Sequence, residues 1–170
     1  MMSLPTTQNP RIIIIGYGNP GRCDDGLGPA LAHAVKSLHL PDVVVTTDYQ
    51  LNIEHSELIS HFDIAILADA SVDDTEPFVL RRIVPKTEVE FTTHTVSPEA
   101  VLAMAGDLFN SRVMGFTLAV RGRRFDEYEE SLSERARLNL VEAVEFIRSA
   151  VHCGIFINMI RQDRNQSVGS

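Results

Sequence analysis

Only two cysteines, Cys23 and Cys153, occur in the 170 residues. They are too few for a disulfide framework and too isolated for a zinc knuckle. Basic residues are also short: 15 Lys and Arg against 23 Asp and Glu leave a formal charge of −8. A protein that grips nucleic acid or an anionic membrane needs a basic face, so the balance argues against both partner classes. No apolar run approaches the length that spans a bilayer. Residues 1–10 are polar and lack the basic-then-apolar order of a signal peptide. Repeats, low-complexity tracts and internal linkers are missing as well. These absences leave a single soluble domain, large enough for a real core, with the cytoplasm as its expected place.

What is there is an alternation of strands and helices. Ile12 to Ile15 is an unbroken apolar run, which predicts a strand over 11–15 buried on both faces. From Leu27, the residues Ala30, Leu31, Ala34, Val35 and Leu38 share one helical face. Pro29 stands in the first turn, where its missing N–H costs nothing. Strands are expected over 42–47, 63–67, 78–84 and 113–120, the 78–84 strand at an edge because its polarity is mixed. Helices are expected over 51–60, from Ser97-Pro98, and from Ser131, where Glu134 completes a capping box. The organisation read from this is a flexible leader (1–10), one domain (11–152) and a polar C-terminal tail (153–170). Such alternation predicts an α/β fold with a mostly parallel twisted sheet covered on both faces.

In such sheets, ligands bind beyond the C-terminal ends of the strands. Four ionisable residues pass that filter. Asp25 follows the first strand, Asp48 the second and Asp69 the third, while His94 precedes the helix that starts at Ser97. The run Gly16 to Pro29 has the strand–turn–helix form that often holds phosphate, but Asp24 and Asp25 stand where the anion would sit. Carboxylates repel an anion and attract a cation. Carboxylates with an imidazole could hold a divalent ion with open positions, or act as acid and base around a substrate. Asp24 has a plainer reading as a stabiliser of the helix N-terminus, and Asp48 and Asp69 as turn formers. The other histidines read as surface or helix-flank residues without partners at ligand spacing. A Cys23 thiolate activated by His94 is disfavoured by the adjacent carboxylates, which raise a thiol pKa. Arg22 is placed either to grip a substrate carboxylate or to pair with Asp24.

These residues sit in motifs. The chain carries Gly16-x-Gly18-Asn19-Pro20-x-Arg22-x-Asp24-Asp25-Gly26-x-Gly28-Pro29, then Gln50-Leu51, Asp69-Ala70, His94-x-x-Ser97-Pro98 and Leu132-Ser133-Glu134. In this order they resemble the maturation endopeptidases of nickel–iron hydrogenases, over 12–147. The resemblance implies a three-layer αβα sandwich of the phosphorylase/hydrolase-like kind. It implies an endopeptidase that trims the C-terminal peptide of a hydrogenase large-subunit precursor after nickel insertion. Asp25, Asp69 and His94 would bind the metal, Asp48 and Asp69 would serve catalysis, and Asn19 and Arg22 would contact substrate. No cofactor would be held permanently, since the nickel belongs to the precursor. Gly21 and Cys23 depart from the usual pattern, where an aliphatic residue and a glycine are common.

Two other readings compete. Ile15-Gly16-Tyr17-Gly18-Asn19-Pro20-Gly21 is also similar to the opening of bacterial peptidyl-tRNA hydrolases. That family continues into a stretch with its catalytic histidine, whereas this chain has Cys23-Asp24-Asp25-Gly26 and an acidic balance that opposes tRNA. The second is a non-catalytic metal-binding chaperone module with the same rim. Processing of a precursor separates it from the enzyme.

Overall fold

The computed structural model describes residues 9–85 and 96–167. Among these residues, five strands form one sheet: β1 (Ile12–Tyr17), β2 (Val43–Asp48), β3 (Ile64–Ser71), β4 (Phe78–Arg82) and β5 (Met114–Arg121). Their order is β2-β1-β3-β5-β4, with β4 alone antiparallel. Five helices accompany them: α1 (Leu27–Ser37), α2 (Glu54–Ser60), α3 (Pro98–Phe109), α4 (Glu134–His152) and α5 (Ile155–Ser167).

The four isoleucines of β1 explain its central place. Ile12 and Ile14 enter the core beneath α1 and α4, while Ile13 and Ile15 enter the core beneath α2 and α3. Burying such side chains contributes roughly 1.5–3 kcal/mol each. The chain steps from β1 outward to β2, then back past β1 to β3. Right-handed crossovers in opposite directions put α1 and α2 on opposite faces. The result is the expected three-layer αβα sandwich. The reversal of strand order beside β1 opens a crevice at the C-terminal strand ends.

Glycine lets α1 sit hard against that strand. A Cβ on Gly16 would lie 2.1 Å from the Gly28 carbonyl oxygen, and one on Gly28 would lie 2.2 Å from that of Tyr17. The motif glycines are therefore a helix–strand backbone contact. Gly18 has φ +136°, a turn conformation that a side chain would strain.

Several boundaries differ from those the sequence predicts. β3 continues past Leu67 to Ser71, so Asp69 lies within the strand and pairs with Ala119. The N-cap of α4 is Ser133, not Ser131, and its side chain accepts from the Ala136 N–H. The segment 153–170 is no tail, because helix α5 occupies most of it. Gly154 (φ +66°) breaks the chain from α4, and Phe156 is then buried against Phe116, with ring centroids 6.2 Å apart. Met159 and Ile160, one turn on, pack on the same core. The polar majority of the segment hid this four-residue apolar spacing. β4 is the edge strand its mixed polarity predicts.

Candidate functional site

Alternation along the strands decides which side chains reach the crevice. Ile15, Ala65 and Leu67 lie in the core beneath α2 and α3, with Tyr17 packed against it. Asp69, two residues beyond Leu67, shares that face. Gly16 pairs with Ala68, which brings Tyr17 alongside Asp69, and Tyr17 pairs with Asp48 on the other side. Tyr17 and two of the predicted aspartates thus line up across the C-terminal ends of β2, β1 and β3. Asp25 stands above them in a short 3-10 turn, Cys23–Gly26, that leads into α1. His94 lies outside the described residues. The helix that follows it, α3, begins with Ser97 as N-cap, accepting from the Ala100 N–H.

Burial pushes the Asp69 carboxyl up to about 6, against the downward pull of the Ala70 N–H. The negative charge of Asp25 adds to the rise, and a hydrogen bond with the Tyr17 hydroxyl opposes it. The Tyr17 hydroxyl is itself driven far up by burial and by Asp69, so it stays protonated and donates. Asp25 is half-buried and accepts the Asn19 N–H at 3.1 Å through Oδ2. Two carboxylates in mutual repulsion, one of them withdrawn from water, make a place where a cation relieves both.

Asp24, its neighbour, does something else. It is fully buried, and its carboxylate accepts the N–H groups of Arg123 (2.7 Å), Arg124 (2.9 Å) and Ser133 (2.7 Å) and the Ser133 hydroxyl (2.7 Å). Burial alone would push this carboxyl up, but those donors outweigh it and hold it below the ordinary range. Asp24 thus joins the turn to the 122–124 loop and to the N-cap of α4. Its helix-stabilising role is real, but the helix is α4 and not the adjacent α1. The same bonds give Ser133 its place in the Leu132-Ser133-Glu134 motif.

The two residues expected to contact substrate are engaged locally. Asn19 Oδ1 accepts the Gly21 N–H at 2.9 Å, bracing the glycine turn. Arg22 does not pair with Asp24; its guanidinium donates to the Phe125 carbonyl at 3.3 Å and lies 5.7 Å from the centre of the Tyr128 ring. Cys23 is buried and lines a cleft of about 330 Å³ with Pro20, His33 and Leu132, away from the rim aspartates. Its sulfur also approaches Glu127 and Glu129. Both carboxylates pair with Arg124, which supplies the positive charge a metal would bring.

Tyr17 and His55 escaped the sequence reading. His55 is only 6% exposed and is not a surface histidine. Its Nδ1 accepts the Asn52 N–H at 3.0 Å, and its Nε2 faces Asp48 Oδ2 at 3.6 Å. The Asn52 side-chain amide donates to the same Oδ2 at 3.2 Å, and the Tyr49 N–H donates to Oδ1 at 2.6 Å. Burial lowers the pKa of His55 against the pull of Asp48, which favours the neutral ring. No periodicity marks such a residue, since its partner lies across a turn.

No family model matches this sequence, and no curated protein matches it. Solved structures do match. A nickel–iron hydrogenase maturation protease, HycI, from Thermococcus kodakarensis KOD1 superposes with a TM-score of 0.68 at 22% identity, covering 86% of this chain and 95% of that one. The fold is the one seen in hydrogenase maturation proteases. The hydrogenase maturating endopeptidase HybD from E. coli gives 0.60 at 20% identity, over 85% of this chain and 93% of that one. A hydrogenase 2 maturation peptidase from Thaumarchaeota archaeon SCGC_AB-539-E09 gives 0.61 at 18%, over 84% and 98%.

Proposed function

We propose that this chain is an endopeptidase that removes the C-terminal peptide of a nickel-loaded hydrogenase large-subunit precursor. The observation that supports it most is the placing of Asp25 beside a buried Asp69, whose carboxyl pKa is raised, at the C-terminal strand ends of this fold. Proteins of the same fold carry the name of that activity. In this reading the nickel arrives with the substrate, and Asp25, Asp69 and His94 grasp it. A carboxyl with a pKa near 6 is partly protonated near neutrality, and the incoming cation displaces that proton. Grasping the metal fixes the precursor and lays its scissile bond along the rim.

With Asp69 committed to the metal, Asp48 is the carboxylate free to take a proton from the attacking water. Its three neighbouring donors leave room for one more, out of about four acceptor positions. The net charge of −8 suits a protein partner that presents a cation, not a nucleic acid or an anionic membrane. No described helix is long and apolar enough to cross a membrane.

The test is a gel-shift assay on precursor with and without nickel. Cleavage only of the nickel-loaded form is the expected result; equal cleavage of both removes nickel as the signal. Asp25→Ala and His94→Ala should abolish processing while the fold persists by circular dichroism. Normal processing by both variants would refute the metal grip. A chain that binds the precursor without shortening it would be a chaperone module instead.

A further inference from the structure

Asp48 is held by an arrangement that structural need alone does not explain. The Asn52 amide turns its donor end to Asp48, which leaves its own Oδ1 buried with no hydrogen-bond partner among the described residues. A buried acceptor without a partner costs free energy, and native proteins carry such costs mainly where a function requires them. His55 is oriented in the same sense. Because Nδ1 accepts the Asn52 N–H, the single proton of the neutral ring sits on Nε2, the nitrogen that faces Asp48. That tautomer makes Nε2 a donor and disqualifies it as a metal ligand. The 3.6 Å separation is long for a hydrogen bond, as it often is before substrate binds and the contact tightens.

We infer that His55 is a positioning residue: with Asn52 it aims the Asp48 carboxylate at the rim, so that the carboxylate can take a proton from water. The inference rests on the endopeptidase reading above, in which Asp48 is the base. His55 never touches substrate. It acts through Asp48, from a helix (α2) that the turn 49–53 joins to the end of β2.

Two substitutions divide the two nitrogens of the ring. His55→Asn places a carbonyl oxygen near Nδ1, so it keeps an acceptor for the Asn52 N–H but offers Asp48 no donor. His55→Gln places an amide near Nε2 and restores the donor. On nickel-loaded precursor, His55→Asn should lower kcat about 10- to 100-fold with KM within about twofold. His55→Gln should recover at least about a third of the wild-type kcat. In an Asp48→Asn background, His55→Asn should slow the reaction no further.

A wild-type kcat in His55→Asn overturns the inference, as does a His55→Gln variant as slow as His55→Asn. So does an undiminished loss in the Asp48→Asn background. Should His55→Asn fail to fold, nitrogen NMR of the wild-type ring at pH 7 decides: a proton on Nε2 whose resonance shifts in Asp48→Asn supports it, and a proton on Nδ1 overturns it. Wild-type protein that leaves the precursor intact sinks the endopeptidase reading instead, and the same NMR measurement still judges the link from His55 to Asp48.

Discussion

Asp24 and Asp69 are both withdrawn from water, yet their carboxyl groups are driven in opposite directions. Asp24 meets four donors from three backbone amides and a hydroxyl, and its charge is fully answered. Asp69 has the Ala70 N–H and the Tyr17 hydroxyl, and a second carboxylate close by. A buried carboxylate with all its acceptor positions filled holds a structure together. One left short of donors beside another negative charge is poised for a cation. Adjacent residues of a single motif, Asp24 and Asp25, fall on opposite sides of that division.

The largest effect should come from Asp24→Ala. It leaves several buried donors unpaired and should destabilise the protein by about 3–5 kcal/mol in urea unfolding at pH 7. The stability that Asp24 supplies is present above its ordinary pKa, near 4, and is lost as the pH falls through its lower folded value. The gap between wild type and Asp24→Ala should therefore narrow in acid. A loss below about 1 kcal/mol would erase the contrast with Asp69.

Asp69→Asn should do the reverse. A raised pKa means that the favourable contribution of the protonated carboxyl exists below 3.8 and is lost as the pH rises through about 6. The variant should gain on the order of 1–2 kcal/mol over wild type at pH 8 and almost nothing at pH 4. Processing should vanish with it. A variant destabilised equally at both pH values would show that Asp69 is a structural residue like Asp24. The smallest change should follow Tyr17→Phe. Losing its hydroxyl removes a donor that lowers the Asp69 pKa, so carbon NMR of the Asp69 carboxyl should record a midpoint above that of wild type. An unchanged midpoint would mean that Tyr17 does not set the electrostatics of the rim.

Much of this fold was legible because it rests on repeating pattern. Ile12 to Ile15 announced a doubly buried strand, and Leu31 and Val35 a helix face. The rim aspartates were legible for a related reason: Asp48 and Asp69 close strand-like runs, Asp25 lies in the turn that follows the first, and the topology carries such ends to one edge. Features without pattern were missed. The extension of β3 through Asp69 depends on pairing with β5, a neighbour about fifty residues away. Helix α5 turns on one glycine and a short apolar spacing among polar residues. His55 gained its meaning from the turn that folds it back on Asp48, and spacing along the chain gave no sign of that.

The bonds that fasten Asp24 join residues 99 to 109 positions apart. During synthesis, therefore, the turn that carries Asp25 lacks these anchors until residues 123–124 have been made, and its full set only once Ser133 has followed. Contacts of such long span form late, after their loop-closure cost has been met. A nascent chain of this protein carries its acidic turn without a formed jaw for about a hundred residues, and gains it only as the start of α4 arrives.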